Sequence, residues 1–233
     1  LLEDPSATAS PPGVDDCSLG DASSDSRVLV LGNSHAAALV PTLDVLARQR
    51  GLSLSVVAAT GVEPGPGIAS NTPFARLNRE YWTVAVPRLL SELDSGDTVL
   101  VVADMNGLIA GGQSRDGPDK LLSYARGIEG LAQNLARRNI RLIVLNALPP
   151  VREANCTPDA AIDQWFKPLG PQCAFPRRAQ SLDRRAPLDA HLARLAESGN
   201  LRIVDLFDAF CDGPVCDYEA PDGTMLYRDE YSH

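Results

Sequence analysis

The stretch Val28-Leu29-Val30-Leu31-Gly32-Asn33-Ser34-His35-Ala36 decides the fold, because an apolar strand runs directly into a polar turn. Similar apolar runs recur along the chain, and segments with helical spacing lie between them. Alternating strands and helices predict a parallel sheet that is covered on both faces. We therefore predict an α/β fold, a three-layer α/β/α sandwich of the flavodoxin-like type. Its central five-stranded parallel sheet is predicted at 27–31, 53–58, 98–103, 141–146 and 201–206.

Apolar positions at a period of 3.6 residues predict the helices. These segments are 36–49, 81–93, 121–138 and 188–197. Residues 1–26 are rich in Ser, Asp, Pro and Ala and are expected to form a linker or irregular lead-in. The domain is predicted to span 27–233, with a proline-rich loop insertion at 149–185.

Composition excludes several classes of function. The chain has 233 residues, 44% of them hydrophobic, which suits one domain with a full core. Its net charge of -9 disfavours nucleic acid and anionic lipid as partners. The sequence has no apolar run long enough for a membrane span, no phosphate-binding loop and no zinc-ligand spacing, so we predict neither cofactor nor metal. The first residue is not Met, and we interpret the sequence as part of a longer protein.

Five cysteines suggest an oxidising compartment. Cys211 and Cys216 enclose a short turn that suits a disulfide loop, and Cys156 and Cys173 enclose a proline-rich segment that a second disulfide could hold. We predict these two bridges, with Cys17 left over, although sequence alone allows other pairings and five free thiols.

Ser34 is the first candidate for chemistry, because it lies where the strand becomes a helix. A serine there can simply cap the helix. Alternatively, it can be a nucleophile whose attack is helped by the backbone N–H groups at the helix start. A nucleophilic serine also needs a base.

Only three histidines are available as that base. His35 is adjacent to Ser34 and is expected to point away from its hydroxyl, supporting the loop. His191 falls in the middle of a predicted helix and is expected to be a surface or packing residue. His233 is therefore the best base, and Asp229, or alternatively Glu230, could orient it.

Two further residues follow predicted strands and could stabilise an oxyanion. Gly61 follows the second strand and would offer its backbone N–H, and Asn106 follows the third and would offer its side-chain amide. Taken alone, each is better explained as an ordinary residue, a turn glycine and a loop asparagine. Asp104 and Asp205 also end strands and are interpreted as loop or cap carboxylates, with Asp205 the reserve acid.

Taken together, these residues resemble the SGNH/GDSL hydrolase superfamily. The segment Gly32-Asn33-Ser34-His35 looks like its first block, with Asn33 where Asp is commoner. Gly61 and Asn106 correspond to the second and third blocks, and Asp229 to His233 looks like the last block with one additional residue. With the cysteines of the late insertion and Leu226-Tyr227-Arg228-Asp229 before the terminal His, the chain resembles the SGNH domain fused to bacterial membrane O-acyltransferases of the acyltransferase-three family.

The resemblance implies a Ser34–His233–Asp229 triad and an oxyanion hole formed by Ser34, Gly61 and Asn106. It implies serine-dependent transfer of an acyl group, often acetyl, to an extracytoplasmic carbohydrate. The acyl donor would be relayed from a fused membrane domain that tethers this one at the periplasm or cell surface. The alternatives are a stand-alone secreted esterase and a non-catalytic carbohydrate-binding or docking module.

Overall fold

A six-stranded sheet forms the centre of the molecule. The structure, a computed structural model, describes residues 18–109, 117–149, 177–217 and 219–227. Within these ranges the strand order is β1-β3-β2-β4-β5-β6, and only β1 runs antiparallel to its neighbour. The strands are β1 (Ser18–Gly20), β2 (Arg27–Gly32), β3 (Ser53–Ala58), β4 (Thr98–Val102), β5 (Arg141–Leu145) and β6 (Leu201–Val204).

Helices connect the strands in the alternating order that the sequence predicts. A turn of π-helix at Tyr81–Ala85 joins α3 to α4, so these three pieces form one helical segment. The helices are α1 (Ser34–Ala38), α2 (Val40–Arg50), α3 (Ala75–Glu80), α4 (Val86–Ser91), α5 (Gly117–Arg137), α6 (Arg178–Glu197) and α7 (Phe207–Phe210). None of the helices in these described ranges is long and apolar enough to cross a membrane.

Two apolar cores lie on opposite faces of the sheet. On one face, α1 and α2 bury Ala36, Leu43 and Ala47 against strand residues such as Val30. On the other face, α4, α5 and α6 contribute a larger cluster that includes Leu89, Ile128, Leu135, Leu188 and Leu192. Removing this apolar surface from water is the main favourable contribution to folding. The three-layer sandwich around five parallel strands is therefore confirmed.

The structure corrects several of the sequence predictions. Ser18–Gly20, placed in the irregular lead-in, pairs with β3 as a sixth strand at the sheet edge. Helix α6 begins at Arg178, ten residues before the predicted start and inside the predicted loop insertion. The prediction followed the apolar period, which starts at Leu188, whereas the observed helix also contains Pro187, a residue that lacks a backbone N–H. In the turns before Pro187 the buried residues are the polar Ser181 and Arg185, so no apolar period marks this part of the helix.

The strand order also fixes where a ligand can bind. The connection after β2 leads to β3 on one side, whereas β4 lies on the other side of β2. In open parallel sheets a crevice forms beyond the carboxyl ends of the strands at such a switch in direction. The residues that follow β2, β3 and β4 therefore form the candidate site.

Candidate active site

The end of β2 is fixed before the candidate nucleophile begins. A Cβ atom on Gly32 would lie 1.7 Å from the carbonyl oxygen of Val102, so only glycine fits between β2 and β4. The buried hydroxyl of Tyr81 accepts a hydrogen bond from the Gly32 N–H at 2.9 Å and donates one to the Val57 carbonyl at 2.7 Å. Burial raises the pKa of Tyr81, so the hydroxyl keeps the proton that it donates. Tyr81 thus holds the ends of β2 and β3 together.

Ser34 is the first residue of α1, and Asn33 is the residue that caps this helix. The Asn33 Oδ1 accepts a hydrogen bond from the His35 N–H at 3.1 Å. The capping role that the sequence left open for Ser34 is therefore filled by its neighbour. The Ser34 hydroxyl makes no hydrogen bond with any residue in the described ranges, and it lies at the positive end of the α1 dipole.

Asn33 also connects the three loops around Ser34. Its Oδ1 accepts a second hydrogen bond from the Asp104 N–H at 3.1 Å, and its Nδ2 donates to the Val62 carbonyl at 3.3 Å. The Asp104 carboxylate in turn accepts a hydrogen bond from the Asn106 N–H at 2.8 Å. Because Asn33 is only 6% exposed, these bonds form away from bulk water. The interpretation of Asp104 as a loop carboxylate fits this contact.

Gly61 lies in the same cleft as Ser34. The cleft has a volume of about 870 Å³ and is also lined by His35, Glu63 and Lys120. Gly61 has a φ of 78°, in the left-handed region that favours glycine. A Cβ atom at this position would lie 2.4 Å from the ring of Phe74, which packs directly on Gly61.

Asn106 lines an adjoining cavity of about 440 Å³ rather than this cleft. His35 and Asp104 line both spaces, so the cavity of Asn106 and the cleft of Ser34 lie next to each other. Asn106 is 7% exposed, and its Oδ1 is buried without a hydrogen-bond partner among the residues described. Its side chain is therefore a buried amide that the fold itself does not saturate.

The remaining predicted triad members lie outside the described residues. These are Asp229, Glu230 and His233. Tyr227 is the last described residue before them, and it is 2% exposed. Its hydroxyl donates a hydrogen bond to the Pro149 carbonyl at 2.5 Å, and burial raises its pKa. Tyr227 lines the same cavity as Asn106.

Asp205, the reserve acid, is committed to another partner. Its two carboxylate oxygens accept hydrogen bonds from Arg185 at 3.0 and 2.6 Å. Burial alone raises the pKa of Asp205, but the hydrogen bonds from Arg185 and the Phe207 N–H outweigh it and hold the pKa below its usual range. Arg185 also lies 4.7 Å from the centre of the Phe207 ring. The pair connects α6 to the loop after β6 and has a structural role.

His191 and the cysteines complete the comparison with the sequence predictions. His191 lies on α6 with its Nδ1 2.8 Å from an Arg194 nitrogen, as expected for a surface or packing residue. Burial and the charge of Arg194 lower its pKa. The predicted disulfide between Cys211 and Cys216 is present, with both residues buried. Cys17 and the predicted pair Cys156 and Cys173 lie outside the described residues.

Three charged residues of the cleft were not found by sequence reasoning: Glu63, Asp119 and Lys120. The Lys120 Nζ lies 2.8 Å from a carboxylate oxygen of Glu63. The two residues are far apart along the chain, on a loop and on α5, and no local pattern marks either one. Among the described residues, no group of His, Cys, Asp and Glu side chains is arranged to hold a metal ion.

Comparison with known proteins gives one family and a group of similar folds. A family model described as "SGNH domain (fused to AT3 domains)" matches residues 3–233. No curated protein sequence matches the chain. The periplasmic domain of a lipopolysaccharide acetyltransferase from Salmonella ser. Paratyphi A is similar in fold, with a TM-score of 0.52 and 13% identity. That alignment covers 86% of this chain and 74% of the Salmonella domain.

Two other solved structures align at lower scores. An acetylxylan esterase from Geobacillus stearothermophilus, solved as a catalytic mutant, has 13% identity and a TM-score of 0.45, covering 82% of this chain and 79% of its own. A GDSL-like lipase from Bacteroides thetaiotaomicron has 14% identity and a TM-score of 0.42, covering 89% of this chain and 78% of its own.

Proposed function

The chain belongs to the family of SGNH domains that are fused to AT3 domains, and from this membership we propose that Ser34 is the nucleophile of an acyl-ester reaction. The observation that carries the proposal is the position of Ser34. It begins α1 at the carboxyl end of the central strand β2, lines a cleft together with Gly61, and has no capping role.

In the first half of the reaction, the Ser34 Oγ attacks the acyl carbonyl while His233 accepts the hydroxyl proton. The carbonyl oxygen becomes an oxyanion, which the Ser34 N–H, the Gly61 N–H and the Asn106 amide stabilise. The tetrahedral intermediate then collapses, and His233 returns the proton to the leaving oxygen. The product of this half is an acyl ester on Ser34.

In the second half, an acceptor hydroxyl attacks the acyl group on Ser34. His233 removes the proton of the acceptor and returns it to the Ser34 oxygen as the new ester leaves. Asp229, or alternatively Glu230, orients His233 and stabilises its charged form. Water as acceptor gives hydrolysis, and a sugar hydroxyl gives O-acyl transfer.

The last described residue before the proposed base lies beside the candidate site. Tyr227 lines the cavity beside Asn106, and that cavity shares His35 and Asp104 with the Ser34 cleft. The stretch from Tyr227 to His233 has an extended reach of about 20 Å. The proposed triad is consistent with this position of Tyr227.

O-acyl transfer, most often of acetyl, to an extracytoplasmic carbohydrate is the proposed overall activity. A fused membrane acyltransferase domain would supply the acyl group, as the description of the family suggests. The Cys211–Cys216 disulfide supports an oxidising location such as the periplasm. The similar fold is that of a periplasmic domain from a lipopolysaccharide acetyltransferase.

Hydrolysis of p-nitrophenyl acetate tests the proposal. Ser34→Ala is expected to lower kcat by at least a thousandfold, since the residual rate then depends on binding and the oxyanion hole alone. Ser91→Ala, a change on α4 away from the cleft, is the matched control and is expected to retain wild-type kcat. Equal kcat in the two variants would remove Ser34 from the reaction.

A further inference from the structure

The ion pair between Glu63 and Lys120 faces the cleft of Ser34. Its atoms are 2.8 Å apart, and the side chains are 10% and 20% exposed for Glu63 and Lys120. Both residues line the 870 Å³ cleft, a volume within the range of small-molecule sites, about 300–1,000 Å³. The pair is therefore reachable by a ligand that occupies the cleft next to the nucleophile.

Hydrogen bonds from two buried side chains fix the backbone of the loop that carries Glu63. The Glu63 N–H donates to the Oδ1 of Asn78 at 2.9 Å, and the Glu63 carbonyl accepts from the indole N–H of Trp82 at 3.1 Å. Asn78 and Trp82 are 5% and 6% exposed. Asn78 also donates to the Ile68 carbonyl at 3.0 Å, farther along the same loop. The carboxylate consequently enters the cleft from a fixed backbone, as a binding group requires.

Stability of the fold does not explain this pair. Removing two charges from water costs about as much as their attraction returns, so such a pair is weak evidence for stability. Lys120 is also the fourth residue of α5, where the helix dipole disfavours a positive charge. A role in ligand binding would account for a lysine at this unfavourable position.

The charges in the cleft indicate which ligand fits. Among the described residues that line it, three are carboxylates and one is an ammonium: Glu63, Asp104, Asp119 and Lys120. Excess negative charge disfavours anionic ligands such as phosphorylated or carboxylated sugars. A carboxylate beside an ammonium can instead accept a hydrogen bond from one hydroxyl and donate one to the next.

We propose that Glu63 and Lys120 bind hydroxyl groups of an uncharged sugar and hold it beside Ser34. The proposal rests on the acyl-ester function of that site and narrows its substrate to neutral carbohydrate. Glu63 accepts a hydrogen bond from one sugar hydroxyl, and Lys120 donates to the oxygen of another. Charge-assisted bonds of this kind are stronger than neutral ones, so both residues select for sugar-bearing substrates.

Comparing the hydrolysis of two esters tests whether Glu63 and Lys120 favour substrates that carry a sugar. The measured quantity is the kcat/KM for a mono-O-acetylated methyl glucoside divided by that for p-nitrophenyl acetate, which carries no sugar. Glu63→Gln and Lys120→Met are each expected to lower this ratio roughly tenfold or more, through a higher KM for the sugar ester. Glu80→Gln breaks the exposed Arg76–Glu80 pair and is the matched control, with an unchanged ratio. An unchanged ratio in the cleft variants would overturn the proposal.

Binding to the Ser34→Ala protein separates this inference from the proposed function. NMR titration of that protein is expected to show weaker binding of methyl glucuronide than of methyl glucoside. Adding Glu63→Gln is expected to weaken the binding of methyl glucoside, because a hydrogen-bond acceptor is lost. It is also expected to reduce the difference in affinity between the two sugars, because one carboxylate that repels the glucuronide is gone. If the wild-type protein hydrolyses neither ester, the proposed function fails. The titration then still shows whether Glu63 contributes to the binding of a neutral sugar. Equal affinities for the two sugars, or an unchanged difference in affinity in Glu63→Gln, would overturn the inference.

Discussion

The Oδ1 of Asn33 accepts a hydrogen bond from the Asp104 N–H at 3.1 Å, joining two loops that are 71 residues apart in sequence. The same oxygen caps α1, and the Nδ2 of this residue holds the Val62 carbonyl. One side chain thereby sets the relative positions of the loops after β2, β3 and β4. This arrangement needs both an acceptor and a donor, which asparagine provides and aspartate does not.

The role of Asn33 predicts a graded loss of stability. Asn33→Ala removes the cap and leaves buried groups without partners, so the free energy of unfolding should fall by about 2–4 kcal/mol. Asn33→Asp keeps the acceptor and loses only the donor to Val62, so its loss should be smaller. Urea denaturation of the three proteins measures both values. Equal losses would mean that the bonds to His35 and Asp104 contribute nothing.

Alanine substitutions at Gly61 and Gly51 should differ in their effects, although both glycines have a left-handed backbone conformation. Gly51 has a φ of 60° with no atom within 4 Å of an added Cβ, whereas the added Cβ on Gly61 meets the Phe74 ring at 2.4 Å. Gly51→Ala should cost about 1–2 kcal/mol from the left-handed backbone alone. Gly61→Ala should lower stability further and also reduce turnover, because its N–H would be displaced. Thermal unfolding and ester hydrolysis measure the two effects. Equal melting temperatures and equal rates in Gly51→Ala and Gly61→Ala would contradict a role for the contact with Phe74.

Replacing Asn106 by alanine should lower kcat strongly and the stability of the fold only slightly. Removing one oxyanion donor typically costs about a hundred- to a thousandfold in rate, and Asn106→Ala should lower kcat by that factor. Its Oδ1 has no partner among the described residues, so the truncation breaks no hydrogen bond to that atom. Asn106→Asp, which replaces the donor by a negative acceptor, should be at least as slow. Unchanged kcat with a native melting temperature would remove Asn106 from the oxyanion hole.

Much of the fold could be predicted because its signals are local. The strand 53–58 was predicted with the observed ends, and 27–31 was one residue short, since apolar runs next to turn residues indicate strands directly. Ser34, Gly61 and Asn106 could be proposed as site residues because the carboxyl ends of parallel strands meet at one edge of the sheet.

The features that were missed depend on contacts distant in sequence. Residues 75–80 form α3 with only Leu77 and Asn78 directed inward, and Asn78 is polar, so no apolar period marks that helix. Arg185 is buried in contacts with the Ala147 carbonyl and with Asp205, which follow β5 and β6 respectively. The Glu63–Lys120 pair likewise arises only when the loop and α5 meet.

The Arg185–Asp205 pair predicts how stability depends on pH. The pKa of Asp205 is lowered in the folded protein, so its contribution is present above the unfolded value of about 4 and is lost as the pH falls through the folded value. Asp205→Asn should lower the melting temperature at pH 7, and the difference from wild type should shrink below about pH 4. Asp208→Asn, at an exposed partner of Arg178, is the control. If the difference in melting temperature between wild type and Asp205→Asn stayed constant down to pH 2, the ion pair would not be its cause.

Covalent labelling with a fluorophosphonate probe most directly tests whether Ser34 is an activated nucleophile. The wild-type protein should take up one probe per molecule, and peptide mapping should place it on Ser34. Labelling should slow in His233→Ala and, in the wild type, as the pH falls below the histidine pKa of roughly 6.5. Failure of the wild-type protein to label, or equal labelling rates in wild type and His233→Ala, would contradict a serine activated by that histidine.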